Sequence, residues 1–120
     1  MKRFLPLLGS VCFFSSCYYD NKEELYPAVT SCDSSAVTYT GKVLPIIVAN
    51  CYACHGNGST LGNVNLDGHA NLKVVSDNGK LAGVIEHQGG FSPMPQGGNK
   101  LDPCDIQVIE KWISDGAPNN

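Results

Sequence analysis

Five consecutive residues, Cys51-Tyr52-Ala53-Cys54-His55, carry the most specific chemistry in the chain. Two thiols three residues apart lie on one side of a helical turn, where both can reach neighbouring vinyl groups of one haem and form thioethers. His55 follows the second thiol directly and projects towards the iron as proximal ligand. Two other chemistries use paired cysteines. A dithiol redox pair wants a βαβ context, which the surrounding sequence lacks. A zinc site wants further Cys or His at finger spacing, and only Cys32, Cys104, His69 and His87 remain. The spacing therefore favours a single covalent haem c, with a haem-free CxxC serving thiol or metal chemistry as the rival reading.

A haem iron held by His55 leaves a sixth position. Met94 is the only methionine besides Met1, and it sits in Ser92-Pro93-Met94-Pro95. The flanking prolines fix φ, remove two N–H donors and lower the unfolded entropy of the loop. A side chain displayed from so stiff a loop suits an axial ligand that must hold its place in two redox states. The plainer use of a methionine is to fill a gap in a core. His69 and His87 are the alternative sixth ligands, each also readable as a surface or helix-end histidine. An open sixth position would instead describe a gas-binding or peroxidase-like site, but there is no second haem motif and no evident distal acid or base.

The chain that must position these groups opens with an export signal. Lys2 and Arg3 precede an apolar run from Phe4 to Phe14, too short to span a bilayer as a helix. Phe14-Ser15-Ser16-Cys17 resembles a bacterial lipobox, which implies a signal peptide over 1–16 and a diacylated Cys17 held in the lipid bilayer by its acyl chains. Plain secretion with a cut near Ser16 is the other reading. Residues 17–35 are polar and acidic, with Asp20, Glu23, Glu24 and Asp33 against Lys22, and read as a flexible tether to a domain over 36–120.

Cysteine counting follows from that division. Of six cysteines, Cys12 lies in the signal segment, Cys17 takes lipid, and Cys51 and Cys54 take haem. Cys32 and Cys104 remain, and in an oxidising compartment such a pair reads as a disulfide, with two free thiols as the alternative. Without Lys2 and Arg3, the eight basic residues fall to six against eleven acidic, a net charge near −5. That balance excludes a nucleic-acid partner. It equally excludes a lysine ring as the docking face for an acidic partner.

Periodicity predicts short helices and no strands. Val43–Asn50 is apolar around most of its circumference, with Pro45 in its first turn, and leads straight into the pentapeptide. Gly56–Leu66 is loop. Asp67 caps a short helix containing Ala70, Leu72, Val74 and Val75, Asn78-Gly79 turns the chain, and Lys80–His87 forms a second. Gln88–Lys100 is a Gly- and Pro-rich loop around Met94. The last helix has Asp102 at its cap, Pro103 at its first position and Gly116 past its end, with Ile106, Ile109, Ile113, Val108 and Trp112 making a broad apolar face.

This order of parts resembles the class I cytochromes c. Val43-Leu44-Pro45-Ile46-Ile47 looks like their first helix, Ser92-Pro93-Met94-Pro95 their Met loop, and Trp112-Ile113-Ser114-Asp115-Gly116-Ala117-Pro118 the ending of many envelope haem domains. The resemblance covers about Ala36 to Asn120. It implies an all-α fold of three to five short helices around one covalent haem, with the first and last helices crossing beside it. Cys51 and Cys54 would be the thioether attachments, and His55 and Met94 the axial ligands. A Cys32–Cys104 disulfide is no part of that general pattern. The expected function is one-electron transfer in a bacterial envelope, between a protein donor and a protein acceptor, with no enzymatic activity. Tyr18 rather than Asp after Cys17 favours the outer membrane by similarity to known sorting.

Overall fold

Thr38 opens the first helical segment, and it opens it with a wide turn. The structure, a computed structural model, describes residues 32–120. The Thr38 carbonyl accepts from both Lys42 N–H (3.1 Å) and Val43 N–H (3.2 Å), and its Oγ1 accepts from Gly41 N–H at 3.2 Å. Tyr39–Val43 is thereby a single π turn, which runs on into α1, Leu44–Asn50. The helical segment thus begins earlier than the apolar run predicts. Pro45 supplies a local reason: in a continuous α-helix its ring would crowd the carbonyl four residues back, and a widened turn relieves that. The second reason is tertiary. Asn120 takes up the free donors of this turn, its Oδ1 accepting from Tyr39 N–H at 2.8 Å and its carbonyl from Thr40 N–H at 2.9 Å. Val43 and Ile47 are buried, whereas Val48 is 47% exposed, so α1 is less fully covered than its composition suggests.

The pentapeptide forms α2, Tyr52–His55, beginning directly after α1. The expected loop follows, with one 3-10 turn at Leu61–Asn63. Helices α3 (Gly68–Asp77) and α4 (Lys80–Ile85) pack on each other. The turn between them needs Gly79 at φ 75°, where a Cβ would be strained. Asp67 stands at the head of α3, but its carboxylate makes no capping bond; it accepts instead from Asn57 N–H (3.0 Å) and Gly58 N–H (3.3 Å) of the preceding loop.

Helix α5 (Pro103–Ser114) follows its sequence signals closely. Asp102 Oδ1 accepts from Cys104 N–H at 2.8 Å, and Pro103 occupies the first turn. At the far end Gly116 N–H donates to the Ile113 carbonyl and Ala117 N–H to the Trp112 carbonyl, both at 2.9 Å, which is a Schellman closure. Ile106, Val108, Ile109 and Trp112 are buried against the π turn and α4. Each such side chain contributes about 1.5–3 kcal/mol from apolar burial. Trp112 stacks on Tyr39 with centroids 5.9 Å apart and donates its indole N–H to the Pro118 carbonyl at 2.9 Å. The last helix therefore meets the start of the first segment chiefly at the π turn.

Cys32 and Cys104 form a disulfide across a separation of 72 residues. The expected signal peptide, Cys17 and most of the tether lie outside the described residues. The tether's last four residues, 32–35, are held to the helical body, because Lys42 Nζ donates to the Asp33 carbonyl (2.6 Å), Asp33 Oδ2 (3.1 Å) and the Ser35 carbonyl (2.8 Å). Among the described residues there is no strand, and no helix is long and apolar enough to cross a membrane.

Candidate haem site

Two adjoining cavities, both open to solvent, lie between α2, α4 and the loop before α5. Cys51, His55, Ile85 and Met94 line both. The smaller is walled by Val64, Leu66, Val75, Leu81 and Val84, and Lys80 is the one cationic side chain on either lining. The larger adds Cys54, Leu61, Pro95 and Leu101. Four separate stretches of chain thus bring the pentapeptide and Met94 to one apolar cleft.

The three histidines differ in how their rings are used. His55 Nδ1 lies 3.3 Å from the Val64 carbonyl and donates to it, which leaves Nε2 with its lone pair and no hydrogen-bond partner among the described residues. The loop that supplies this carbonyl is pinned at both ends, by Leu66 N–H to the His55 carbonyl at 2.7 Å and by the Asp67 carboxylate on Asn57 and Gly58. His69 Nε2 donates to the Ala117 carbonyl at 2.8 Å, beside Trp112, and lines neither cavity. His87 Nε2 donates to the Met94 carbonyl at 3.0 Å. Both of these rings therefore use Nε2 on the protein's own main chain and keep a lone pair only at Nδ1, whereas His55 keeps Nε2.

The Cys51 thiol suits attachment better than exchange. Cys51 and Cys54 are not bridged to each other, and burial pushes the Cys51 thiol up to about 11. Held protonated in this way, Cys51 is a poor source of the thiolate that disulfide exchange requires. Among the described residues no three His, Cys, Asp or Glu side chains gather as a metal site, and Cys32 and Cys104 are already joined to each other. An apolar cleft lined by two thiols of one CxxCH turn, an imidazole with a free Nε2 and a thioether fits a covalently held haem.

Met94 is held by its main chain. Its N–H donates to the Val84 carbonyl at 3.0 Å while His87 binds its carbonyl. Phe91 covers the same turn, and a Cβ on Gly83 would sit 2.5 Å from the Phe91 ring, which is why α4 carries a glycine there. Several contributors were not legible as site residues. Val64 acts through its carbonyl, Asp67 through a loop ten residues back, and Leu101 through its place on the wall; composition marks none of these.

The described fold is all-α, and its apolar cleft beside the CxxCH turn has the lining that one haem would need. The cytochrome c6 of Cladophora glomerata is 32% identical to it over 79 residues, which make up 62% of this chain and 86% of that protein. No protein-family model and no solved structure matches. The chain belongs to the c-type cytochromes: a small all-α haem protein that carries electrons and is not an enzyme.

Proposed function

We propose that the protein is a monohaem c-type cytochrome that passes single electrons between protein partners in a bacterial envelope, anchored by lipid on Cys17. Its haem would be held by thioethers at Cys51 and Cys54 and by axial bonds from His55 Nε2 and the Met94 sulfur. The observation that carries this is the convergence of Cys51, His55 and Met94 on one apolar cleft, with His55 alone among the histidines keeping Nε2 free. When bound, the haem supplies an iron that gains and loses one electron. The chain's own residues do the remainder. Val64 orients the imidazole and raises its basicity, Met94 offers a soft thioether that favours the reduced state, and the aliphatic walls exclude water.

The residue class at the mouth supports exchange with partners there. Leu61, 59% exposed, and the exposed Cys54 both line the larger cavity. The anchored location rests on the lipobox-like Phe14-Ser15-Ser16-Cys17, and the outer membrane on Tyr18. Redox titration of the matured protein tests the electron-carrier reading. We expect a one-electron Nernst slope, a low-spin spectrum, and the weak far-red ferric band of a sulfur–iron bond, lost in Met94→Ala with a fall in potential. A high-spin ferric spectrum in the unaltered protein would overturn the axial assignment. Cys17→Ala should release the protein from membranes; unchanged membrane partition would overturn the anchor.

A further inference from the structure

His87 is exposed, lies two residues past the end of α4, and lies outside both cavity linings. Its φ is 56°, in the left-handed region that disfavours any residue with a Cβ. Gly89 and Gly90 follow within three residues, so a glycine at 87 would be the unstrained choice for the turn. Burial offers no reason for the histidine. The one polar contact of its side chain among the described residues does: Nε2 donates to the Met94 carbonyl at 3.0 Å.

We infer that His87 is a positioning residue for Met94, fixing the Met94 carbonyl and so the direction in which its thioether leaves the loop. The inference rests on the reading of Met94 as the sixth ligand. Pro93 and Pro95 bring no N–H, so Met94 holds the only main-chain donor of the three residues. That donor goes to the Val84 carbonyl at 3.0 Å, and the acceptor on the other side of the same residue goes to His87. Both anchors come from one helix end. With its N–H and C=O both tied to the α4 terminus, the Met94 peptide planes cannot swing, and the side chain is presented in one direction. Remove the His87 bond and Met94 itself keeps only its N–H tie to Val84, with the Phe91 ring on Gly83 holding the loop three residues away. Strain kept in the backbone for the sake of a side-chain bond is the pattern expected of a positioning device.

Three substitutions separate this from a structural role. His87→Gln places an amide donor near the position of Nε2 but retains a side chain poorly suited to positive φ. His87→Asn suits the left-handed backbone better, yet its amide is too short to reach. His87→Gly removes the donor and the strain together. In the haem-loaded full chain, imidazole added to the ferric protein competes with the sixth ligand and reads how firmly it is held. We expect His87→Gly and His87→Asn to bind imidazole about tenfold more tightly than the unaltered protein, with a weakened far-red band and undiminished thermal stability, while His87→Gln stays within about twofold. Imidazole affinities of the Gly and Asn variants equal to the unaltered protein's would overturn the inference, as would a Gln variant that follows them. An unaltered protein without the far-red band, matching Met94→Ala, would instead remove the ligand assignment and His87's role with it.

Discussion

Replacing both Cys32 and Cys104 with serine should cost stability without touching the haem cleft. The bridge spans 72 residues, and a loop of that length closed in the unfolded chain corresponds to about 4 kcal/mol of chain entropy. Two features of the fold say the folded state would change little. The main-chain N–H at position 104 would still donate to the Asp102 carboxylate, which caps α5 at 2.8 Å in the native protein. Lys42 would still hold residues 33–35 through three contacts of 2.6–3.1 Å. Residual haem ligation in the unfolded chain would shorten the effective loop, so about 3 kcal/mol is a realistic loss. For a domain of this size urea slopes near 1–1.5 kcal/mol/M turn that into a midpoint about 2–3 M lower. The assay is urea unfolding of the haem-loaded protein, followed by circular dichroism and haem absorption, with the far-red ferric band recorded before denaturant is added. A midpoint shift below about 0.5 M would refute the chain-entropy reasoning. Loss of the far-red band in the native variant would refute the separation of disulfide from site.

Asp67→Ala removes the carboxylate that Asn57 and Gly58 N–H groups share, at 3.0 and 3.3 Å. Because the site is near solvent, the cost should be about 1 kcal/mol, and hydrogen exchange at Leu66 N–H should quicken as the loop bearing Val64 loosens; unchanged Leu66 protection would show that the loop is held by other means. Glu110 has its carboxyl pushed above the usual carboxylate range, first by the hydrogen bond its protonated form shares with Glu86, then by burial and the Glu86 charge. An acid raised in the fold is one whose charged form the fold disfavours, so this penalty appears as pH rises through the unfolded value near 4.5. Glu110→Gln should therefore stabilise at pH 7 by a few tenths of a kcal/mol after solvent screening, with no gain at pH 4. An equal gain at both pH values would contradict the Glu86–Glu110 pairing.

The parts of this molecule that could be read from sequence are those whose causes are local. The Asp102-Pro103 start of α5 and its Gly116 stop depend on neighbouring residues alone, and α5 begins and ends where they place it. The thiol spacing likewise needs one helical turn and nothing else. Where distant groups decide, the sequence is silent. The π turn at Tyr39–Val43 depends on Asn120 reaching back across eighty residues. Asp67 looks like a cap and is one by backbone only, because two N–H groups in a folded-back loop compete for its carboxylate. The CxxCH spacing marks His55 in the sequence, but His69 and His87 cannot be told from sixth ligands by type; the carbonyls of Ala117 and Met94 that hold their Nε2 atoms are met only in three dimensions.

The central claim, one haem joined covalently through Cys51 and Cys54, has a direct test. The full chain would be expressed with competent cytochrome c maturation, purified, denatured, stripped of any loose haem in acidified acetone, and assayed as the pyridine haemochrome. One haem per chain surviving extraction, with the absorption of a haem whose two vinyl groups are saturated, is the expected result, and Cys51→Ala with Cys54→Ala should retain none. Haem that extracts completely from the unaltered chain, or a double variant that keeps it, would contradict the account.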